Sequence, residues 1–436
     1  MTSWRGPSGV VSRQQGSSGL GSADYRGLPP VQLDGGSARR IGFGPGPGAT
    51  RRRGRISRLF RLIFGPGSPL RRLDWILFGT VLALSLLGTL LVWSATDTHG
   101  MAGNDPFLTK QLLNVAIGLG LMAGVSMLDY RQLRLYAPIV LAVSCLGLLV
   151  VLTPLGTIVN GAKSWISLPG GFQIEPSEYA KLSIILVGAM ILGELRPGQT
   201  RPSPRALLLT VGLSAVPLAL VAAEPDLGVV MLMVALLIGL IALSGVRLRW
   251  LFLMIAGGAV GITAVIKLHL LKAYQVSRLT SFLNPSADPR GTGYSARQST
   301  IAIGSGGWTG QGLFHGQLVA GNFVPEQHTD FIFAVAGEEI GFAGELVIMA
   351  LLALLLFRAL RIAAKADDQF GMLVASGVAI WFGVQSFINI GMTIGIMPVT
   401  GLPLPFVSYG GSAIFADMIA VGALQAVYRH KNVFSP

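Results

Sequence analysis

Residues 75–94 read WILFGTVLALSLLGTLLVWS, twenty residues without a charged side chain. As a helix that is about 30 Å of apolar rod, the thickness of a bilayer's hydrocarbon layer. Lipid offers no partner to exposed backbone, so a run of this length and character is read as a membrane-spanning helix. Nine further stretches follow the same pattern, at about 108–128, 135–155, 176–194, 206–223, 225–244, 249–268, 329–362, 371–397 and 409–428. The eighth is long enough to tilt or to project beyond the bilayer. The expected fold is an all-α integral membrane protein of ten transmembrane helices, with a large extracellular loop between the seventh and the eighth.

The composition agrees. Of 436 residues 51% are hydrophobic and 12% charged, against about 25% charged in soluble domains, which argues against a water-soluble globule. The first 74 residues hold 13 of the 33 Lys and Arg and 3 of the 20 Asp and Glu. The basic pI is therefore largely a property of this Gly/Arg-rich tail and does not imply nucleic-acid binding. The tail shows no apolar period and is expected to be disordered. No secretory signal pattern opens it, while residues 51–64 have the character of a segment that lies on an anionic membrane face. A single cysteine, Cys145, excludes an intrachain disulfide framework and a thiolate-rich zinc site.

Basic residues in alternate loops set the orientation. The tail and one set of loops carry 25 of the 33 basic residues, which predicts both termini cytoplasmic, with residues 431–436 as a short C-terminal tail after a transmembrane domain over 75–430. Two segments on the other side, 156–175 and 269–328, are too long and too patterned for simple connectors. Long ordered loops usually carry function, so the chemistry is expected to face outward.

Charged groups in a membrane cost about 2.5 to 3.5 kcal/mol at its centre and tend to face a cavity or a partner. Here they gather near the outer helix ends. In IEPSEYAK the i,i+3 spacing puts Glu178 and Lys181 on one helix face, able to pair. In AAEPDLGVV, Pro225 breaks the helix between two apolar segments, and Asp226 reads as the N-cap of the sixth helix and as a residue able to shape a site. The loop LTSFLNPSADPRGTGYSARQS places one carboxylate, Asp288, among Arg278, Arg290 and Arg297. That arrangement suits a base working beside an anionic substrate, although Asp before Pro is also a common turn residue. In PEQHTDFIFAVAGEE, Asp330 favours a helix dipole and His328 reads as a hydrogen-bonding loop residue. The five histidines make no metal-ligand pair; no cofactor is assigned, and a weakly held divalent cation such as Mg2+ at the carboxylates stays open.

Four ordered motifs, GAKSWISLPGGFQIEPSEYAK, EPDLG, NPSADPRGTGYSARQS with IGSGGWTGQG, and PEQHTDFIFAVAGEE followed by LPFVSYGGS, resemble the SEDS family (shape, elongation, division and sporulation), the group of RodA, FtsW and SpoVE. The last two motifs are more similar to those of its elongation member. The resemblance covers about residues 75–430. It implies a peptidoglycan glycosyltransferase that polymerises lipid II at the outer face of the cytoplasmic membrane, beside a class B penicillin-binding protein whose transmembrane helix would dock at the eighth and ninth helices. By motif position it implies Asp288 as the catalytic residue and Trp165, Glu178 and Lys181 as cavity residues; together with Lys163, Asp226, Arg278, Arg290, Arg297, Gln298, Glu326 and His328 these make up the candidate substrate-binding set. Lys163 stands where the family often has Arg, and Lys lacks the bidentate fork for a diphosphate. A lipid II flippase and a division-specific polymerase are the competing readings.

Overall fold

A computed structural model of the chain describes residues 72–96, 106–159, 162–168, 172–195, 199, 201–224, 226–268, 276, 278, 280–282 and 291–434. The basic tail, Asp288 and Arg290 lie outside these residues. Helices dominate: α1 (Trp75–Thr96), α2 (Pro106–Met127), α3 (Tyr130–Leu152), α4 (Pro176–Leu192), α5 (Pro204–Ala223), α6 (Leu227–Leu243), α7 (Leu248–Lys267), α8 (Thr292–Gly306), α9 (Gln317–Ala320), α10 (Ile332–Ala364), α11 (Gln369–Thr393) and α12 (Gly411–Phe434). Among the described residues seven of them, α1, α2, α3, α5, α10, α11 and α12, are long and apolar enough to cross a membrane. The shorter helices α4 and α6 lie at the fourth and sixth expected segments.

The core forms where α4 and α11 are enclosed. Helix α4 packs on α3, α5, α6 and α11, and α11 packs on α10. Most of α4 and α11 is buried, including Ile184, Ile185, Leu186, Val378 and Phe382. The outer helices keep apolar faces open, as at Leu135, Phe252, Phe357 and Phe387, which is what a lipid solvent permits.

The structure departs from the expected fold in three places. The 156–175 segment, expected as a long patterned connection in an all-α fold, forms an antiparallel sheet in the order β1 (Gly156–Val159), β2 (Ala162–Leu168), β3 (Phe172–Ile174). Helix α3 begins at Tyr130, five residues early, because Asp129 caps it by accepting the Arg131 backbone N–H at 3.1 Å. At the other end of the chain α12 continues to Phe434, past the expected boundary at residue 430.

The long α10 is broken. Gly341 adopts φ 69°, open to glycine at little cost, and the segment after α8 fills the gap. The N–H groups of Gln311 and Gly312 donate to the carbonyls of Glu338 and Glu339, and those of Phe342 and Ala343 donate to the carbonyls of Gly307 and Trp308. The backbones approach so closely that a Cβ on Gly310 would lie 2.2 Å from the Glu339 carbonyl oxygen. The run IGSGGWTGQG is thus a backbone plug that satisfies an interrupted helix.

At the basic end, Asp74 ties α1 to α10 and α12. Its carboxylate accepts from Arg358 Nε at 2.9 Å and pairs with that guanidinium's Nη2. Its backbone exchanges hydrogen bonds with Gln425, at 2.8 and 2.9 Å.

Candidate active site

The N-terminus of α4 carries the most enclosed charges of the site. Pro176 at its first turn is suited to a helix start. One turn on, Lys181 Nζ lies 2.6 Å from Glu178 Oε2, with side chains 0% and 2% exposed. Lys181 also donates to Gln385 Oε1 at 3.1 Å and lies 4.8 Å from the centre of the Trp381 ring. Gln385 is itself fixed: Trp381 Nε1 donates to its Oε1 at 2.7 Å, and its Nε2 donates to the Pro403 carbonyl at 2.8 Å. The ammonium therefore has a carboxylate, an amide and a ring face as partners.

Further carboxylates surround this pair. Asp417, on the neighbouring α12, accepts from the Phe406 backbone N–H and lies within electrostatic reach of Glu178 and Lys181. Glu175 accepts from the Ser177 hydroxyl at 2.7 Å, and burial, with Glu178 and Asp226 nearby, pushes its carboxyl well up. Asp226 caps α6 by accepting the Val229 N–H at 3.1 Å. Burial raises its pKa, while that hydrogen bond and Arg278 oppose the rise.

The rim is built by two loops that hold each other. Asn389 donates to the carbonyls of Asp330 and Leu402 at 2.8 and 2.7 Å. The Ser408 hydroxyl donates to the Thr329 carbonyl at 2.6 Å, and the Tyr409 N–H to the His328 carbonyl at 2.9 Å. Arg278 donates to the Thr400 carbonyl at 3.1 Å and acts electrostatically on both Asp226 and Asp330. Burial, with Glu326 close by, raises the Asp330 pKa to about 7. The His328 ring packs against Phe107 and Tyr409, which also contact each other, and its burial lowers its pKa.

The sequence-derived candidates separate into groups. Glu178, Lys181, Asp226 and Arg278 belong to one electrostatic cluster. Glu326 adjoins it, exposed, in a left-handed turn at φ 51° with its carbonyl accepting three following N–H groups. Lys163 and Trp165 lie on β2: Lys163 Nζ donates to the Leu152 carbonyl at 3.3 Å, and the Trp165 carbonyl accepts from the Thr157 hydroxyl at 3.1 Å. Arg297 is exposed and Gln298 half-buried on α8. Among the described residues no three His, Cys, Asp or Glu side chains are placed to share a metal ion. Sequence reading missed Gln385, Trp381, Asn389 and Asp417. The available signal was polarity inside apolar helices, as at Asp417 in AIFADMIAVGAL.

The family model for FtsW, RodA and SpoVE, described as "Cell cycle protein", matches residues 74–433. The chain belongs to this family. A curated relative, the peptidoglycan glycosyltransferase MrdB of Escherichia coli K12, is 38% identical over 361 residues, covering 81% of this chain and 93% of that protein. Among solved structures, a chain from a peptidoglycan synthase complex that coordinates polymerization and crosslinking aligns with TM-score 0.69 and 30% identity, over 82% of this chain and 98% of that one. The rod shape determining protein RodA of Thermus thermophilus aligns with TM-score 0.60 and 28% identity, over 84% and 98%. The family span includes the Glu178–Lys181 pair, both rim loops and the backbone plug in α10, and it leaves out the basic tail.

Proposed function

We propose that the chain is a peptidoglycan glycosyltransferase that polymerises lipid II at the outer face of the plasma membrane, during elongation of a rod-shaped cell. The observation that carries this reading is the family match over residues 74–433, which contains every residue of the cluster around Lys181. In the reaction the acceptor hydroxyl oxygen forms a bond to the donor's anomeric carbon, the bond from that carbon to the lipid diphosphate breaks, and the hydroxyl proton passes to a base. Asp288 is the residue proposed as that base, and a single base without a nucleophile inverts the anomeric centre.

The enclosed partners of Lys181 alter its proposed role. With no exposed surface and three partners already made, it positions α4 against α11 and sets the local potential, and does not grip the diphosphate. Arg278, at the rim and electrostatically linked to two carboxylates, is better placed for the anionic leaving group, with Arg290 just before α8 in sequence and Arg297 on that helix. A flippase would need polar groups along the bilayer path. Beyond Lys181, α4 from Leu182 to Leu192 carries one polar side chain, Ser183, whose hydroxyl donates back to the Ala180 carbonyl. That stretch favours the polymerase.

A class B penicillin-binding protein is the proposed partner. Helix α10 offers Val347, Phe357 and Leu360, each more than half exposed. Helix α11 is mostly buried and contributes mainly Phe387, 60% exposed, so the docking face is chiefly that of α10. The test is polymerisation of labelled lipid II by the purified chain with a transpeptidase-inactivated partner. Polymer from wild type and none from a folded, partner-bound Asp288→Asn supports the reading. Equal polymer from both removes Asp288 as the base, and none from either, with lipid II crossing liposome membranes, favours the flippase.

A further inference from the structure

Met190 lies about two and a half turns along α4 from Lys181, and Glu194 follows the Gly193 cap just past the helix's end. There α3, α4 and α5 enclose a groove of 780 Å³. Arg131, Arg134 and Arg205 line it, with Glu194 and Ser203. Arg134 is paired with Glu194 at 3.0 Å. Among the described residues neither Arg131 nor Arg205 has an ion pair. Helices α3 and α5 both begin here, capped by Asp129 and Ser203, and their N-termini add partial positive charge.

The remaining walls are apolar: Leu135, Pro138, Met190, Ile191 and Leu209. They open sideways, since Leu135 is 72% and Leu209 57% exposed, in a part of the bundle with the hydropathy of membrane spans. The groove therefore combines cations at the helix ends with an apolar channel running back along the helices. An acidic peptide would use the charges and leave the channel exposed. A molecule with an anionic head and acyl chains uses both, and basic pockets between membrane helices are suited to such heads.

We propose that this groove binds an anionic phospholipid of the leaflet opposite the candidate active site. Its phosphodiester lies between Arg131 and Arg205, within reach of Arg134, and one acyl chain lies along Leu135, Pro138 and Leu209. Glu194 keeps Arg134 partly neutralised, and the three arginines still leave the groove net positive toward an anionic head. The site is independent of the glycosyltransferase reading.

Native mass spectrometry of the purified full-length chain, released from nanodiscs of mixed phosphatidylglycerol and phosphatidylcholine, tests the proposal. Wild type should retain phosphatidylglycerol preferentially, and Arg131→Gln/Arg205→Gln should lose roughly 30-fold in retention, the effect of two arginines at a lipid headgroup. Arg249→Gln, a basic residue outside the groove, should behave as wild type. Leu209→Trp fills the channel with every arginine in place and should also lower retention. Unchanged retention in the double variant overturns the proposal, as does an equal loss in Arg249→Gln. Displacement by millimolar inorganic phosphate with Leu209→Trp silent would show a free-anion site and overturn the lipid reading. Each variant is scored only beside a wild-type thermal melting profile, and Leu209→Trp decides alone if the double variant does not fold.

Discussion

The two ends of α4 each carry an ion pair, and the pairs are opposites. Glu178–Lys181 is 2.6 Å apart, at most 2% exposed, and further tied to Gln385 and Trp381. Arg134–Glu194 is 3.0 Å apart with side chains 40% and 71% exposed, beside an open groove. Desolvation makes the difference. An enclosed pair tolerates no change of partner, so it fixes geometry, whereas an exposed pair is screened and its charges stay available to a ligand. One helix thus joins a rigid polar core at the candidate active site to a soft basic surface at the opposite end.

The sharpest way to break the comparison is to remove one charge of the enclosed pair. Lys181→Met leaves Glu178 buried without its cation and should cost about 3 to 5 kcal/mol of stability, seen as a large fall in thermal melting in detergent. Adding Glu178→Leu should restore much of that stability, because an apolar pair of similar volume avoids the desolvation cost. Polymerisation should not return with it. If the double variant polymerises as wild type does, the pair is only structural.

A smaller effect is expected from Gln385, which holds the pair without being charged. Gln385→Leu deprives Lys181, Trp381 Nε1 and the Pro403 carbonyl of a partner. Leaving buried polar groups unmatched costs about 1 to 3 kcal/mol each, partly relieved by local adjustment. A melting curve indistinguishable from wild type would mean that Lys181 is held by Glu178 alone.

What the sequence disclosed follows the reach of each signal. Apolar runs located the seven described helices long and apolar enough to cross a membrane, because lipid imposes length and composition directly. The Glu178–Lys181 pair and the Asp226 cap were legible because i,i+3 spacing and a Pro break are local. Gln385 and Asp417 were not, since their partners lie 204 residues away at Lys181 and on other elements. Nor was the break at Gly341, which is satisfied by backbone 30 residues upstream. The sheet over 156–174 was missed because a seven-residue strand among glycines carries too short an alternation to stand out.

The rim should respond to pH in one direction. Burial raises the Asp330 pKa from its ordinary value to about 7, so the folded state holds this proton more tightly than the unfolded chain. That stabilisation is fully present below the unfolded pKa and is lost as pH rises through about 7. Thermal stability should therefore fall between about pH 4 and pH 7, and Asp330→Asn should flatten that part of the profile. An unchanged slope would place the titration elsewhere.

The smallest effect belongs to the exposed pair. A double-mutant cycle on Arg134→Ala and Glu194→Ala should give a coupling energy below about 1 kcal/mol, because both partners are solvated and the attraction is offset by side-chain ordering and screened by salt. The same cycle read as phosphatidylglycerol retention should behave differently. Glu194→Ala releases Arg134 from its carboxylate and removes the one carboxylate among the described residues lining the groove, so retention should rise even though stability hardly moves. Arg134→Ala should lower it. A pair that contributes little to folding would then regulate how much positive charge the groove presents. If Glu194→Ala leaves retention unchanged while Arg134→Ala lowers it, Arg134 reaches the headgroup without being held back, and the exposed pair has no such role.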